Sequence, residues 1–171
     1  FYEGEQLQIF EKAIRHMKIY EDSKTFIVNE EIESIASQIK GIMAKTAPYG
    51  EIYKLPGLLD TFASRYVAMC KEIEAPIQAA IADARKRVFD ELEGKQCREK
   101  LSDRYVSAWN ELREKADTCN NVATLQNIKV EADALKIRHL NEIAETESKL
   151  QAAAQAAAEA VARAAQAAEA A

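Results

Sequence analysis

The chain is divided at residues 47–57, Ala-Pro-Tyr-Gly-Glu-Ile-Tyr-Lys-Leu-Pro-Gly, which hold two of its three prolines and two of its five glycines. On both sides of this segment, apolar residues recur at the steps of three and four that are typical of amphipathic helices. Pro48 disfavours helical geometry in the residue before it, whereas Pro56 suits a first helical turn, where its missing N–H is no loss. The segment therefore predicts the end of one helix and the start of another.

The composition is that of a helical protein. The 171 residues are 48% hydrophobic and 30% charged, with a net charge of −5, a mixture typical of long helices and coiled coils. The negative charge disfavours a nucleic-acid surface over the whole molecule. Cys70, Cys97 and Cys119 are odd in number and widely spaced, which favours a reducing cytosol over a disulfide framework. The sequence contains no run of 18 apolar residues, so no membrane span is predicted. Because it opens with Phe1 rather than Met, we expect it to be a fragment, a processed product or the ordered part of something larger.

The N-terminal part, residues 1–46, predicts two short helices. The first covers residues 5–20, and residues 25–28 predict an extended connector. Asn29 is a plausible N-cap for the second helix, which should end near Lys45 because of Pro48. The apolar face of the first helix is predicted to contain Leu7, Phe10, Ile14 and Met17, and that of the second Ile32, Ile35, Ile39 and Ile42.

Three longer helices follow the Pro/Gly segment, over about residues 56–93, 96–118 and 122 onward. Pro76 should kink the first of them or interrupt its hydrogen bonding, and Gly94 is a good residue to end it. Asn121 is a candidate N-cap for the third. The apolar seams are predicted to contain Leu59, Phe62, Tyr66, Met69, Ile73, Ala80, Ala84, Val88 and Leu92 in the first helix, Leu101, Tyr105, Trp109 and Leu112 in the second, and Leu125, Ile128, Ala132, Leu135 and Ile143 in the third.

These patterns predict an all-α fold in which short N-terminal helices precede long antiparallel coiled-coil-like helices. We divide it into an N-terminal part (1–46), a Pro/Gly linker (47–57), a helical hairpin or coiled coil (58–150) and a tail (151–171). Fourteen of the 21 tail residues are Ala, which favours a helix that has little apolar bulk to pack. A solvated continuation of the last helix and a close-packed Ala seam against another chain are both compatible with this composition.

The sequence carries no recognisable catalytic or cofactor motif. Its glycines never reach the spacing of a phosphate-binding loop, so we expect no nucleotide site within these residues. His16 and His139 lie on different helices without the carboxylate spacing of a metal site, and each is predicted to be a helix-face residue. Acidic residues fall among basic ones at helical spacing, as Glu91 and Lys95 do, which indicates a solvated face. We therefore predict no catalytic residue, no cofactor and no metal in this fragment.

Two clusters are candidates for interaction. Tyr49, Ile52 and Tyr53, in the Pro/Gly segment, can either fix it onto the helices or form a small surface that faces a partner. A basic cluster lies at the predicted tip of the hairpin, where a solvated role and a contact with DNA or a partner are both open. The basic candidates are Arg85, Lys86, Arg87, Lys95, Arg98 and Lys100.

Residues 47–62, Ala-Pro-Tyr-Gly-Glu-Ile-Tyr-Lys-Leu-Pro-Gly-Leu-Leu-Asp-Thr-Phe, together with Pro76, the turn Cys119-Asn120-Asn121 and the Ala-rich end, resemble a known family. This order of elements is similar to the C-terminal helical region of the large P-loop ATPases of BREX phage-defence systems, of the BrxC/PglY type. The pattern is one of hydrophobic residues and prolines, not a catalytic signature.

The resemblance implies a bacterial, cytoplasmic protein of much greater length. Its nucleotide-binding domain, with ATP and Mg²⁺, would lie upstream of Phe1, and other BREX subunits would be its partners. The fragment would then be a non-catalytic helical module for self-association or for docking those subunits. The alternatives are a DNA-contacting arm of the same complex and an unrelated cytosolic coiled-coil scaffold.

Overall fold

The computed structural model describes residues 4–26, 29–44 and 49–170, and within these ranges all regular secondary structure is helical. The predicted all-α fold with long helices is thereby confirmed. None of the described helices combines the length and the apolar character needed to cross a bilayer. In chain order the elements are α1 (Glu5–Ser23), a 3₁₀ turn (Lys24–Phe26), α2 (Glu30–Ala44), α3 (Tyr49–Ile52), α4 (Leu55–Leu92), α5 (Arg98–Asp117) and α6 (Val122–Ala170).

The ends of these helices follow the predicted signals closely. Asn29 Oδ1 accepts a hydrogen bond from the N–H of Ile32 (3.2 Å), and Asn121 Oδ1 accepts one from the N–H of Thr124 (3.0 Å), so both asparagines are N-caps. Gly94 has a φ of 76° just after α4, a left-handed conformation in which a glycine carries no steric cost. Pro56 lies in the first turn of α4, as predicted.

The connector after α1 differs from the prediction. The N–H of Lys24 bonds to the carbonyl of Glu21, so the last turn of α1 tightens into the 3₁₀ turn Lys24–Phe26. The extended conformation predicted from β-branched residues is therefore wrong for Thr25 and Phe26. Residues 27–28 of that connector, and residues 45–48 around the predicted end of the second helix, lie outside the described residues.

The chain forms two compact units. Unit 1 comprises Phe1–Ile77 and Ala116–Ile128, and unit 2 comprises Gln78–Lys115 and Lys129–Ala171. Two helices, α4 and α6, therefore begin in unit 1 and end in unit 2.

In unit 1, α1 contacts α2 and α3, and its buried face overlaps the predicted one only at Met17, with Phe10 half-buried. Leu7 and Ile14 are 44% and 49% exposed, whereas Ala13, Met17 and Tyr20 are buried. The small Ala13 permits close approach of a neighbouring helix, and the Tyr20 ring meets Phe62 edge-on at 6.3 Å between centroids. The buried face thus includes Tyr20, which contacts Phe62 of α4, and leaves out the bulkier Leu7 and Ile14. The predicted α2 face is correct for Ile32, Ile35 and Ile39, which are buried, and Ile42 is half-buried.

The tyrosine hydroxyl of Tyr66 connects three parts of unit 1. It lies 3.0 Å from the buried Ser23 Oγ at the end of α1, and it accepts a hydrogen bond from the N–H of Val122 (3.1 Å) at the start of α6. The first N–H groups of a helix have no intrahelical partner, so this side chain satisfies a donor that burial would otherwise leave unpaired.

The seam of α4 changes register near its middle. The predicted residues Leu59, Phe62, Tyr66, Met69, Ala84, Val88 and Leu92 are buried. Between Met69 and Ala84, however, the buried residues are Cys70, Ile77 and Ile81, whereas Ile73 and Ala80 are only half-buried. An α-helix has 3.6 residues per turn, so a strict heptad stripe drifts around a long straight helix and the contact face moves to the next residue. The helix continues through Pro76, which is exposed.

Unit 2 contains an antiparallel pair, α5 and the middle of α6. All four predicted α5 seam residues are buried, with Trp109 and Tyr105 among the most completely enclosed side chains. Near the end of α5, Lys115 pairs with Glu131 (3.1 Å), whereas just before its start the Cys97 N–H bonds to Glu147 (3.2 Å), further along α6. The two helices are therefore antiparallel. Residues 151–170 continue α6 as a fully exposed helix.

Candidate functional site: the α5–α6 junction

The centre of unit 2 holds a buried histidine between two aromatic residues. Trp109 Nε1–H donates a hydrogen bond to His139 Nδ1 over 3.1 Å, and the Tyr105 ring stacks on the imidazole at 3.7 Å between centroids and 8° between planes. Tyr105 and Trp109 are fully enclosed, and His139 is only 7% exposed. Because an indole nitrogen can only donate, Nδ1 must be the unprotonated nitrogen, and the neutral imidazole carries its hydrogen on Nε2.

A carboxylate and a guanidinium complete this cluster at its edge. The Tyr105 hydroxyl donates to Glu142 Oε1 (2.6 Å), and Arg104 forms an ion pair with the same oxygen. The Tyr105 hydrogen bond, assisted by Arg104, lowers the pKa of Glu142. Burial, with Glu142 adding to it, strongly raises the pKa of Tyr105, so its hydroxyl stays a donor.

Burial also dominates the titration of His139. It lowers the pKa of the imidazole, with Arg138 and Arg104 acting in the same direction and Glu142 opposing them. The neutral form therefore predominates, as the hydrogen bond from Trp109 requires.

A second buried carboxylate caps the start of α5. Glu147 is 9% exposed, and its oxygens accept hydrogen bonds from the backbone N–H groups of Gln96 (3.3 Å) and Cys97 (3.2 Å). Burial opposes its ionisation, but these two donors and the nearby Lys95 hold its pKa below the ordinary value. Glu147 is thus a capping residue supplied by another helix, 50 positions beyond Cys97.

The junction is built to hold two helices together. His139 Nδ1 accepts a hydrogen bond from Trp109, and the Tyr105 hydroxyl donates one to Glu142. Both Glu147 oxygens accept hydrogen bonds from backbone N–H groups. Among the described residues, no group of three His, Cys, Asp or Glu side chains is placed to hold a metal ion.

The sequence prediction recognised only part of this junction. Tyr105 and Trp109 were predicted as core residues, and they are. His139 lies inside the core, where its position one turn before Ile143 on the predicted seam was a usable signal. The other histidine, His16, is half-buried on α1, and its Nδ1 lies 2.9 Å from the Lys12 carbonyl.

The basic candidates lie around the end of α4 and the start of α5, where three of the six have acidic ion-pair partners. Ion pairs join Lys86 to Asp90 (2.7 Å), Lys95 to Glu91 (3.9 Å) and Arg98 to Glu93 (3.6 Å). The Arg85 guanidinium lies over the Phe89 ring at 4.7 Å. Arg87 and Lys100 are exposed, and neither has an ion-pair partner in the described part of the chain.

The candidates of the Pro/Gly segment lie in unit 1, and they differ in how deeply they are buried. Ile52 is 2% exposed, whereas Tyr53 is 54% exposed and its hydroxyl accepts a hydrogen bond from Gln6 Nε2 (3.1 Å) of α1. The side chain of Tyr49, the third candidate of this segment, lies outside the described part of the chain.

The geometry defines an all-helical module whose buried polar groups serve the contact between its own helices. Residues 84–146, less than half of the chain, match the family model described as the BrxC seventh domain. The matched residues run from the end of α4 to the middle of α6 and include the whole Tyr105–Trp109–His139–Glu142 cluster. The match supports a BrxC-type BREX protein region, so the resemblance predicted from the sequence is confirmed.

A BrxC domain implies a component of a BREX anti-phage system. The matched residues lie after the segment 47–62 on which the resemblance was first based. No solved structure matches the chain.

Proposed function

We propose that this chain is a non-catalytic helical assembly module of a larger P-loop ATPase that acts in BREX anti-phage defence. The observation that carries the assembly role is the pairing of polar groups at the α5–α6 junction. A general base needs a free acceptor within reach of substrate, whereas His139 Nδ1 is buried and bonded to Trp109. The match of residues 84–146 supports the BREX context over an unrelated scaffold.

The parent protein would carry the chemistry. A domain numbered seventh in its family description supports a longer parent, and we place the ATP- and Mg²⁺-binding domain of that parent outside these residues. The partners would be further copies of the chain or other BREX subunits, in the bacterial cytoplasm. The module would hold those partners in a defined arrangement through a rigid helical surface.

Two measurements test the assembly role. Light scattering on the purified chain, alone and mixed with each purified BREX subunit, is expected to reveal self-association or a stable complex with at least one subunit. In the parent ATPase, deletion of the module is expected to abolish phage protection while ATP hydrolysis persists. A strictly monomeric chain that binds no BREX subunit would contradict the proposal.

A DNA-contacting arm is the second candidate, and the exposed Arg87 and Lys100 are the observation in its favour. The acidic partners of Lys86, Lys95 and Arg98 act against it. Filter binding at about 50 mM and about 200 mM salt distinguishes the two, because phosphate contacts weaken steeply with salt. If the basic cluster around the end of α4 and the start of α5 binds DNA, the double variant Arg87→Glu/Lys100→Glu should remove the salt-sensitive binding. DNA binding that persists in this variant would exclude the basic cluster as the contact surface.

A further inference from the structure

One surface of α6 in unit 2 is apolar and stays exposed among the residues that the structure describes. Val130 is 68% exposed and Ile137 is 57% exposed, seven residues apart on the same helix. Three further exposed residues lie in line with them. We call this set the outer stripe: Val130, Ala134, Ile137, Asn141 and Ala144. It is distinct from the buried seam of the same helix, which contains Ala132, His139 and Ile143.

The spacing of the outer stripe is that of a coiled-coil seam. Its steps are four, three, four and three, so Val130 and Ile137 occupy d positions and Asn141 occupies an a position. A single Asn at an a position favours a defined register and oligomeric state, because each amide pairs with its counterpart across the seam. A face that only contacts water gains nothing from apolar residues at this heptad spacing, so the spacing favours a partner helix.

The charges beside the outer stripe select a partner. Asp133 and Arg138 flank it on opposite sides, at g and e positions, and both are exposed without an ion-pair partner among the described residues. In a parallel pair of identical helices, g of one copy faces e of the other. Asp133 of each copy then lies beside Arg138 of its neighbour, and the symmetry produces this contact twice.

We propose that the outer stripe binds a second copy of this chain, in a parallel two-stranded contact of α6 with α6. This inference rests on the proposed assembly function and identifies its surface and its partner. The contact buries two Val130 and two Ile137 side chains, places Asn141 against Asn141, and pairs Asp133 with Arg138 on both sides.

Sedimentation velocity over a concentration series up to about 1 mM, which covers weak association, tests the contact. The wild-type chain is expected to show a concentration-dependent monomer–dimer equilibrium. Ile137→Asp should raise the dimer dissociation constant at least roughly tenfold, because two buried isoleucines are lost at once. Val161→Asp is the matched control: Val161 is 70% exposed on the same helix but lies off the outer stripe, so this variant should dimerise as the wild type does.

Charge exchange tests the orientation. Asp133→Arg and Arg138→Asp should each weaken the dimer, and the double variant should recover most of the loss, which is the signature of a direct pair. Unchanged dimerisation of Ile137→Asp, or equal loss in Val161→Asp, would overturn the inference. A chain that stays monomeric yet binds another BREX subunit would overturn it while leaving the proposed function in place.

Discussion

Trp109 and His139 meet through a hydrogen bond of 3.1 Å, although they are 30 residues apart in sequence and lie on different helices. The indole can only donate, so the bond exists only while the imidazole nitrogen that faces it is unprotonated. Protonation would place two N–H donors against each other inside the core. The stability of the junction is therefore linked to the charge of His139.

We predict that stability falls below neutral pH because of His139. The folded-state pKa of this imidazole is lowered by burial, so the unfolded state binds the proton more readily and stability is lost as pH falls through the unfolded value, about 6.5. The loss continues down to the lower folded-state pKa. Melting curves by circular dichroism between pH 7.5 and 5.5 measure this effect. His139→Gln should make the melting temperature depend less on pH. The control His16→Gln removes the other imidazole of the chain and should leave the pH dependence as it is in the wild type. A pH dependence that persists in His139→Gln would show that another group causes it.

Removing the indole donor should be costly. Trp109→Phe leaves His139 Nδ1 buried without a partner and also removes apolar contacts, so we expect a loss of roughly 2–4 kcal/mol in the free energy of unfolding. Tyr105→Phe removes only a hydroxyl whose acceptor, Glu142, keeps its ion pair with Arg104, and should cost about 1 kcal/mol. Urea denaturation gives both values, and an equal cost for the two variants would argue against the distinct role of the indole donor.

Glu147 should control the start of α5. Glu147→Ala removes the acceptor of the Gln96 and Cys97 N–H groups, and hydrogen exchange of these two amides should accelerate several-fold relative to amides in the middle of α5. Glu147→Gln keeps one acceptor oxygen and should protect at least one of the two amides. Exchange that is unchanged in Glu147→Ala would mean that water caps the helix equally well.

In unit 1, we expect Tyr66 to matter through its hydroxyl. Tyr66→Phe leaves the buried Val122 N–H unpaired and removes the partner of Ser23, at an expected cost of roughly 2–3 kcal/mol. Tyr20→Phe is the matched control, because Tyr20 is equally buried, at 6% exposure, and no hydrogen bond of its hydroxyl is present among the described residues. Chemical denaturation of the two variants should separate them, and equal costs would show that ring packing dominates.

The exposed end of α6 should add helix without adding stability. Removing residues 151–170 deletes side chains that are all exposed, so the free energy of unfolding should change by less than about 0.5 kcal/mol. The helical signal at 222 nm should fall at the same time. A large loss of stability in the purified chain at micromolar concentration would reveal a packing role for this segment.

Helix ends and most seams were predictable because they depend on local chemistry. Asn29 and Asn121 cap their helices through backbone N–H groups three residues away, and Gly94 adopts the left-handed conformation that follows a helix. The α5 seam was correct because its apolar residues recur at the helical steps of four, four and three. Such signals require no knowledge of distant neighbours.

The rest depends on contacts between distant segments. Which face of α1 is buried depends on its neighbours, among them Phe62, which the Tyr20 and His16 rings meet edge-on, whereas the larger Leu7 and Ile14 remain half-exposed. The pairing of His139 with Trp109 requires the register of two helices, which their individual spacings leave open. The drift of the α4 seam accumulates over many turns, so a strict heptad reading fails near Ile77.

Glu147 caps the start of α5 through Gln96 and Cys97, and α6 continues beyond it to Ala170. At 1.5 Å per residue, the end of α6 stands roughly 35 Å beyond that capping carboxylate. Alanine has the highest helix propensity, so this segment favours the helical state without packing contacts. The location of Val161 relative to Glu147 is therefore set by helix geometry alone, roughly 21 Å further along the axis.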